Sequence, residues 1–259
     1  MTDQRMTWDP AQYLAFAGER LRPALELLAR VPLEAPRTVA DLGCGAGNVT
    51  RYLRQRWPGA AITGVDNSPE MLAQAAQALP DVMWVRADLG RWQPAAPVQV
   101  LYSNAALHWL KEHAALLPRL LRLVAAGGFL AAQMPRNFAA PSHLLMHEAA
   151  QAGPWHERLG PLLSSPPVMD PAWYYDLLAP HCKTLDLWET EYHQVLTGEN
   201  PVADFTKGTA LKALLDALPE PERAGFEAEY RRRVLAAYPK RKGGETVFPF
   251  RRLFIVAGV

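Results

Sequence analysis

The rhythm of apolar and polar positions changes three times along the chain. From residue 11 to 30 apolar side chains recur at helical spacing: Tyr13, Leu14, Phe16 and Ala17, then Leu25, Leu27 and Leu28. Pro23 stands between these groups and predicts two helical pieces, because proline suits a helix's first turn and not its interior. After Pro36 short apolar runs alternate with helical stretches. Strands are expected at 38–42, 61–65, 82–87, 98–103 and 129–134, and helices at 48–55, from Ser68 to Leu79, and at 116–124. Ser68-Pro69-Glu70 reads as a helix start, with a capping hydroxyl, a first-turn proline and an acid near the positive helix end. Pro80 stops that helix, and Gly127-Gly128 is expected to close the later one. Beyond Met134 the regularity weakens among prolines and aromatics. A strand at 183–193, a helical stretch at 200–238 around Pro219 and Pro221, and a last strand at 248–257 follow.

Strands alternating with helices over about a hundred residues predict an α/β fold with a doubly wound, mostly parallel sheet. Right-handed crossovers place the strand C-termini on one edge, where ligands bind near the switch in strand order. Asp41, Asp66, Asp88 and Asn104 all fall at expected strand ends, so they should share that edge. The chain reads as one domain. It has an N-terminal helical segment (1–36), a cofactor-binding core (37–135), cap regions (136–181 and 197–245) and C-terminal strands (182–196 and 246–259). The cap is expected to be helical and inserted between the last two strands.

Composition narrows the class. Of 259 residues 49% are hydrophobic, enough for a substantial core. The net charge is +1, from 27 basic and 26 acidic residues, which argues against a dedicated nucleic-acid binder. Two cysteines do not make a disulfide framework, and Cys44, inside a glycine turn, is expected to pack. The polar start lacks a secretory apolar core and no apolar run reaches ~18 residues, so the expectation is a cytoplasmic protein without a membrane span. Arg231-Arg232-Arg233 and Lys240-Arg241-Lys242 read as solvated charge runs.

The chemistry concentrates at Val39-Ala40-Asp41-Leu42-Gly43-Cys44-Gly45-Ala46-Gly47-Asn48. A strand ending in an acid opens into a turn whose glycines let a ligand lie against bare backbone, and the following helix points unpaired N–H groups at it. A dinucleotide fingerprint wants a third glycine at position 48, where Asn48 stands; here it is Gly47. Asp66, at the end of the second strand, suits ribose hydroxyls in either cofactor class.

D-L-G-C-G-A-G-N at 41–48 resembles the first motif of class I S-adenosylmethionine (SAM)-dependent methyltransferases. V-D-N-S-P-E-M-L at 65–72, A-D-L at 87–89 and S-N-A-A-L-H-W-L at 103–110 follow in the matching order. Beyond the core the chain resembles the trans-aconitate 2-methyltransferase family. The segments are W-D-P-A-Q-Y-L-A-F-A-G-E-R-L-R-P at 8–23, L-L-A-R-V-P-L-E at 27–34, Q-M-P at 133–135, H-L-L-M-H-E at 143–148, Y-Y-D-L-L at 174–178 and R-L-F-I-V-A at 252–257. It departs at Arg136, where the family tends to have an acid, and in the stretch from Phe205 to Ala213, where the family is Trp-rich.

The resemblance implies the Rossmann-like fold of class I methyltransferases, with an antiparallel last strand, and a SAM cofactor with S-adenosyl-L-homocysteine as its product. Asp66, with Asn67 beside it, would serve the ribose, and Asp88 and Leu89 the adenine. Gly43 and Gly45 would approach the methionine part, with Asn104 on the same rim. Asp41 would either meet the cofactor's ammonium or order the loop. The implied acceptor is a small polycarboxylate. Its carboxylate is already ionised at neutral pH, so neither a catalytic base nor a metal is assigned, although His108, His143 and His193 are present. Arg20, Arg22 and Arg252 are the expected carboxylate clamps, ahead of Arg136 and Lys212, because a planar guanidinium binds carboxylates in a bidentate fork. Tyr13, Phe16 and Trp109 are expected to wall the substrate, with His143 in the same pocket. Expected partners are thus a small acid only, with no nucleic acid and no membrane, on a monomer or weak homo-oligomer. The alternatives are a methyltransferase for another small or carrier-linked acid and, less favoured, an NAD-dependent oxidoreductase.

Overall fold

The computed structural model describes residues 17–163 and 168–259, with the side chains of 17–20 left out. Tyr13 and Phe16 therefore lie outside the described residues, and Arg20 is placed by its backbone alone. Two compact units divide the chain. Arg20–Pro135, Pro167–Thr190 and Arg252–Val259 form one, and Arg136–Pro166 with Glu191–Arg251 belong to the other.

The first unit contains most of a sheet of seven strands in the order β3-β2-β1-β4-β5-β7-β6. They are β1 (Thr38–Leu42), β2 (Ala61–Asp66), β3 (Met83–Arg86), β4 (Val98–Asn104), β5 (Val124–Pro135), β6 (Thr184–Leu196) and β7 (Thr246–Gly258). The pairs β1–β2, β2–β3, β1–β4 and β4–β5 are parallel, and β5–β7 is antiparallel. β1 is apolar and nearly all buried, as a central parallel strand with both faces covered must be. Strand order reverses between β1 and β4, the switch point at whose C-terminal ends such sheets bind ligands.

Helices α1 (Ala17–Arg30), α2 (Thr50–Arg56), α3 (Pro69–Ala78) and α4 (His113–Leu121) accompany these strands. Ser68 caps α3 as its sequence predicts, its hydroxyl accepting from Met71 N–H at 3.2 Å. α1 runs unbroken through Pro23, against the expected division. The lost hydrogen bond is offset by burial of Ala24, Leu27 and Leu28 on one face. Tyr102 fastens α1 to the sheet by donating to Ala24 C=O at 2.7 Å.

β5 begins at Val124, earlier than its apolar run suggests, and takes in the two glycines expected to close the preceding helix. The register slips between Val98↔Val124 and Val100↔Phe129. Gly128 lies in that irregularity, where a Cβ would come 2.5 Å from Gln99 C=O. α7 (Pro171–Leu178; α5 and α6 are given below), expected in the cap, belongs instead to the sheet unit. A buried hydrogen bond of 2.6 Å between His113 Nδ1 and Tyr174 Oη ties it to α4.

The second unit is helical: α5 (Pro141–Ala152), α6 (His156–Leu159), α8 (Pro201–Lys207), α9 (Ala210–Asp216) and α10 (Glu222–Ala237). The stretch expected as two helical pieces around Pro219 and Pro221 contains three helices. Its core joins Met146, Trp155, Leu159, Phe205, Phe226 and Phe248. Buried Tyr230 donates to Ser142 C=O at 3.1 Å and lies 2.9 Å from Thr206 Oγ1. The arginine run on α10 is not simply solvated. Arg231 reaches Asp204 at 2.6 Å and Arg233 reaches Glu148 at 3.1 Å, cross-linking helices within this unit. Among the described residues no helix is long and apolar enough to cross a membrane.

Candidate active site

After β1 the chain turns through Gly43, Gly45 and Gly47, all at positive φ (75°, 53° and 78°). Only glycine adopts this region freely, yet the three positions differ in what surrounds them. A Cβ on Gly43 would lie 2.1 Å from Ala106 Cβ and 3.4 Å from Leu89 Cδ1, so the loop is pressed against the segment after β4. One on Gly47 would meet Trp84 at 3.1 Å and Ala75 at 3.4 Å. One on Gly45 would meet nothing within 4 Å. Gly45 is the part of the turn that offers bare backbone to open space.

Hydrogen bonds from neighbouring strands hold the turn in place. Gly43 and Cys44 N–H donate to Val65 C=O at 2.8 and 3.1 Å. Ser103 Oγ donates to Leu42 C=O at 2.8 Å, joining β4 to the end of β1. Asp66 spans two loops, Oδ2 accepting from Gly45 N–H and Oδ1 from Ser68 N–H, each at 2.9 Å. Cys44 is buried against Gly64, as its expected packing role requires, and burial pushes its thiol pKa up.

Asp41 lies fully inside. Its Oδ2 accepts from the Thr50 hydroxyl at 2.7 Å, fastening the end of β1 to the first turn of α2. Burial pushes its carboxyl up to about 7; the Thr50 bond opposes this and the nearby charge of Asp66 adds to it. The Thr50 bond orders the loop that follows β1.

Asp88 is exposed beyond β3, its Oδ1 accepting from Gly90 N–H at 2.7 Å. Arg119 fixes the loop that follows, donating to Leu89 C=O at 2.8 Å and Trp92 C=O at 2.9 Å. The sequence carries no signal for this role, nor for those of Thr50 and Ser103. Asn67 is exposed next to Asp66. Asn104, at the end of β4, holds a buried Oδ1 with no hydrogen-bond partner among the described residues. The rim thus offers open backbone at Gly45, a carboxylate at Asp66 and an unfilled acceptor at Asn104. These features fit a small polar cofactor carrying hydroxyl and ammonium donors.

The expected substrate residues are more scattered. Trp109 is 44% exposed and lies against His108, with ring centroids 4.5 Å apart. Arg252 is buried on β7 and donates to Gln133 Oε1 at 3.4 Å. Arg22 is exposed on α1 and pairs with Glu26 at 2.7 Å, a position that suits helix support better than a buried clamp. His143 belongs to the helical unit, where it lies edge-on to Phe138; burial first, then His147, lowers its pKa to about 4.

Residues 39–128 match the methyltransferase domain family. A trans-aconitate 2-methyltransferase of Azoarcus sp. (strain BH72) is 52% identical over 251 residues, covering 97% of this chain and 98% of that protein. The chain belongs to the trans-aconitate 2-methyltransferase family. Another member, from Methylobacterium radiotolerans, is 46% identical over 96% of this chain and 97% of its own. Among solved structures, the YcgJ protein from Bacillus subtilis is similar at 12% identity, with TM-score 0.58 over 91% of this chain and 97% of that one. Haemonchus contortus phosphoethanolamine N-methyltransferase 2, solved with S-adenosyl-L-methionine, is similar at 14% identity and TM-score 0.54, over 92% of this chain and 52% of that one. These structural likenesses show the fold, that of class I methyltransferases. The family membership rests on the end-to-end identity.

Two predictions follow from the turn. Gly43→Ala forces both a clash and a strained φ and should lower the melting temperature sharply. Gly45→Ala carries only the strain, about 1–2 kcal/mol, and should lose ligand affinity out of proportion to its stability loss. Thermal melts and a binding titration of both variants check this, and equal effects would remove the distinction. The second concerns Asp41, whose pKa rises from 3.8 to about 7 in the folded protein. Its contribution is full below about 4 and is lost as pH rises through about 7. Melts at several pH values should show Asp41→Asn gaining on the wild type between pH 4 and 7, with the gap level above that.

Proposed function

We propose that the protein is a SAM-dependent O-methyltransferase that converts one carboxylate of trans-aconitate, or of a closely related small polycarboxylic acid, to a monomethyl ester, releasing S-adenosyl-L-homocysteine. The observation that carries this reading is 52% identity along nearly the whole of both chains to a trans-aconitate 2-methyltransferase.

In this reading Asp66, with Asn67 beside it, receives the ribose hydroxyls on lone pairs left by its two backbone bonds. Asp88 and Leu89 face the adenine. Gly43 and Gly45 border the methionine end, with Asn104 Oδ1 as an acceptor for its ammonium. When bound, SAM supplies a methyl group on a sulfonium, so the reactivity belongs to the cofactor and the placement to the protein. The acceptor is ionised near neutral pH, since carboxyl pKa values lie near 4, and no side chain need remove a proton. What remains is alignment, which contributes roughly 7–11 kcal/mol in favourable cases. Arg252 is the strongest of the expected clamps because it is buried on the sheet. Arg20, Tyr13 and Phe16 remain candidates from the sequence, with His143 and Trp109, and Arg22 ranks below them. The reading includes a cytoplasmic enzyme acting on a free small acid.

Incubating the purified protein with methyl-labelled SAM and trans-aconitate tests this directly. The expected product is a base-labile methyl ester formed with stoichiometric S-adenosylhomocysteine. Absence of transfer to trans-aconitate and to any other small polyacid contradicts the proposed acceptor.

A further inference from the structure

Beyond the cofactor rim, a group of polar side chains lies on one face of the sheet at the C-terminal end of β4 and β5. Asn104 stands opposite Gln133 in the β4–β5 register, and Arg252 opposite Pro135 in the β5–β7 register. Cross-strand partners share a face, as do residues two apart on a strand. Asn104, Gln133 and Arg252 therefore stand on the face that also carries Tyr102 and Phe254. α1 lies over this face: Tyr102 bonds to Ala24, and Phe254 stacks on Trp188 at 4.7 Å beneath Arg30. His108 follows β4 on a short turn and is buried, its pKa lowered first by burial and then by the charge of Arg252.

Gln133, His108 and Asn104 each hold a buried polar atom without a hydrogen-bond partner among the described residues. Gln133 is fully buried, and Arg252 Nη1 donates to its Oε1 at 3.4 Å. That bond fixes which way the amide points and leaves Nε2, a donor, with no acceptor among the described residues. His108 Nδ1 is likewise buried without a partner there. Buried polar atoms are rarely left so, and each such case calls for a missing partner. The missing partner of Gln133 must be an acceptor, and it would lie beside a guanidinium, the group whose fork best suits carboxylate. Asn104, one strand closer to the glycine turn, presents an acceptor instead. An unfilled acceptor on Asn104 and an unfilled donor on Gln133 therefore stand on adjacent strands.

We propose that Gln133 Nε2 and the Arg252 guanidinium form a subsite for one ionised carboxylate, that of the acceptor acid which is not methylated. The proposal rests on the functional reading above. The same chemistry is carried by the carboxylate at the amino-acid end of the cofactor, so the test separates the two sources.

Gln133→Leu removes the donor at similar volume, and Gln133→Glu sets a negative charge in its place. KM for trans-aconitate, kcat, and affinity for S-adenosylhomocysteine by calorimetry are measured for both variants and the wild type. The expected result is a KM about tenfold or more higher in Gln133→Leu, as for loss of a hydrogen bond to a charged group, and higher still in Gln133→Glu. S-adenosylhomocysteine affinity should stay within about twofold of wild type, which also shows that the variants fold. An unchanged KM in both variants overturns the subsite. A parallel loss of S-adenosylhomocysteine affinity overturns the assignment to the acceptor and gives the carboxylate to the cofactor. A wild-type protein that binds S-adenosylhomocysteine but methylates no polyacid overturns the functional reading, and this subsite with it.

Discussion

The carboxylate of Asp66 holds the rim together. With one oxygen on Gly45 N–H and the other on Ser68 N–H, it joins the glycine turn after β1 to the start of α3. Charge-assisted bonds of this kind are about twice as strong as neutral ones. They act on a turn that spends three residues at positive φ and presses Gly43 against Ala106. The parallel pairing of β1 with β2 makes the arrangement possible, since it brings the two strand ends side by side. Val65 C=O adds two further bonds to the same turn.

Around this anchor the sheet edge is divided by charge. Asp41, Asp66 and Asp88 gather at the ends of β1, β2 and β3, while Arg252 and the Gln133 amide donor stand on β7 and β5. Ionisation of Asp41 is opposed chiefly by burial, with a smaller contribution from the charge of Asp66. The division suits a reaction between two partners of opposite character. In the proposed reading the ribose and adenine of the cofactor lie at the acidic end, and a carboxylate of the acceptor at the cationic end. In a site from which water is excluded, such contacts strengthen.

The acidic end was legible in the sequence because its residues sit at fixed offsets within single strand-turn units. Gly43, Gly45 and Gly47 follow β1 directly, and Asp66 ends β2, so composition and spacing identify them without any tertiary information. The cationic end depends on strand register. Gln133 meets Asn104 and Arg252 only through pairings that span 29 and 119 residues. Arg22 and Arg252 both belong to family-like segments, and only placement tells the exposed, Glu26-paired one from the buried one. Arg119 fastens Leu89 and Trp92 from 30 and 27 residues away, which no local pattern encodes. The continuity of α1 through Pro23 was missed for a related reason: local propensity favours a break, and burial of one helix face against the sheet overrides it.

In the proposed reading this anchored turn is the seat of the SAM-derived cofactor. Calorimetric titration of S-adenosylhomocysteine into the wild type and Asp66→Ala tests it most directly. The account predicts binding to the wild type and an affinity weaker by about tenfold or more in the variant, from loss of charged hydrogen bonds. An Asp66→Ala protein that is folded and binds S-adenosylhomocysteine within twofold of the wild type would contradict it.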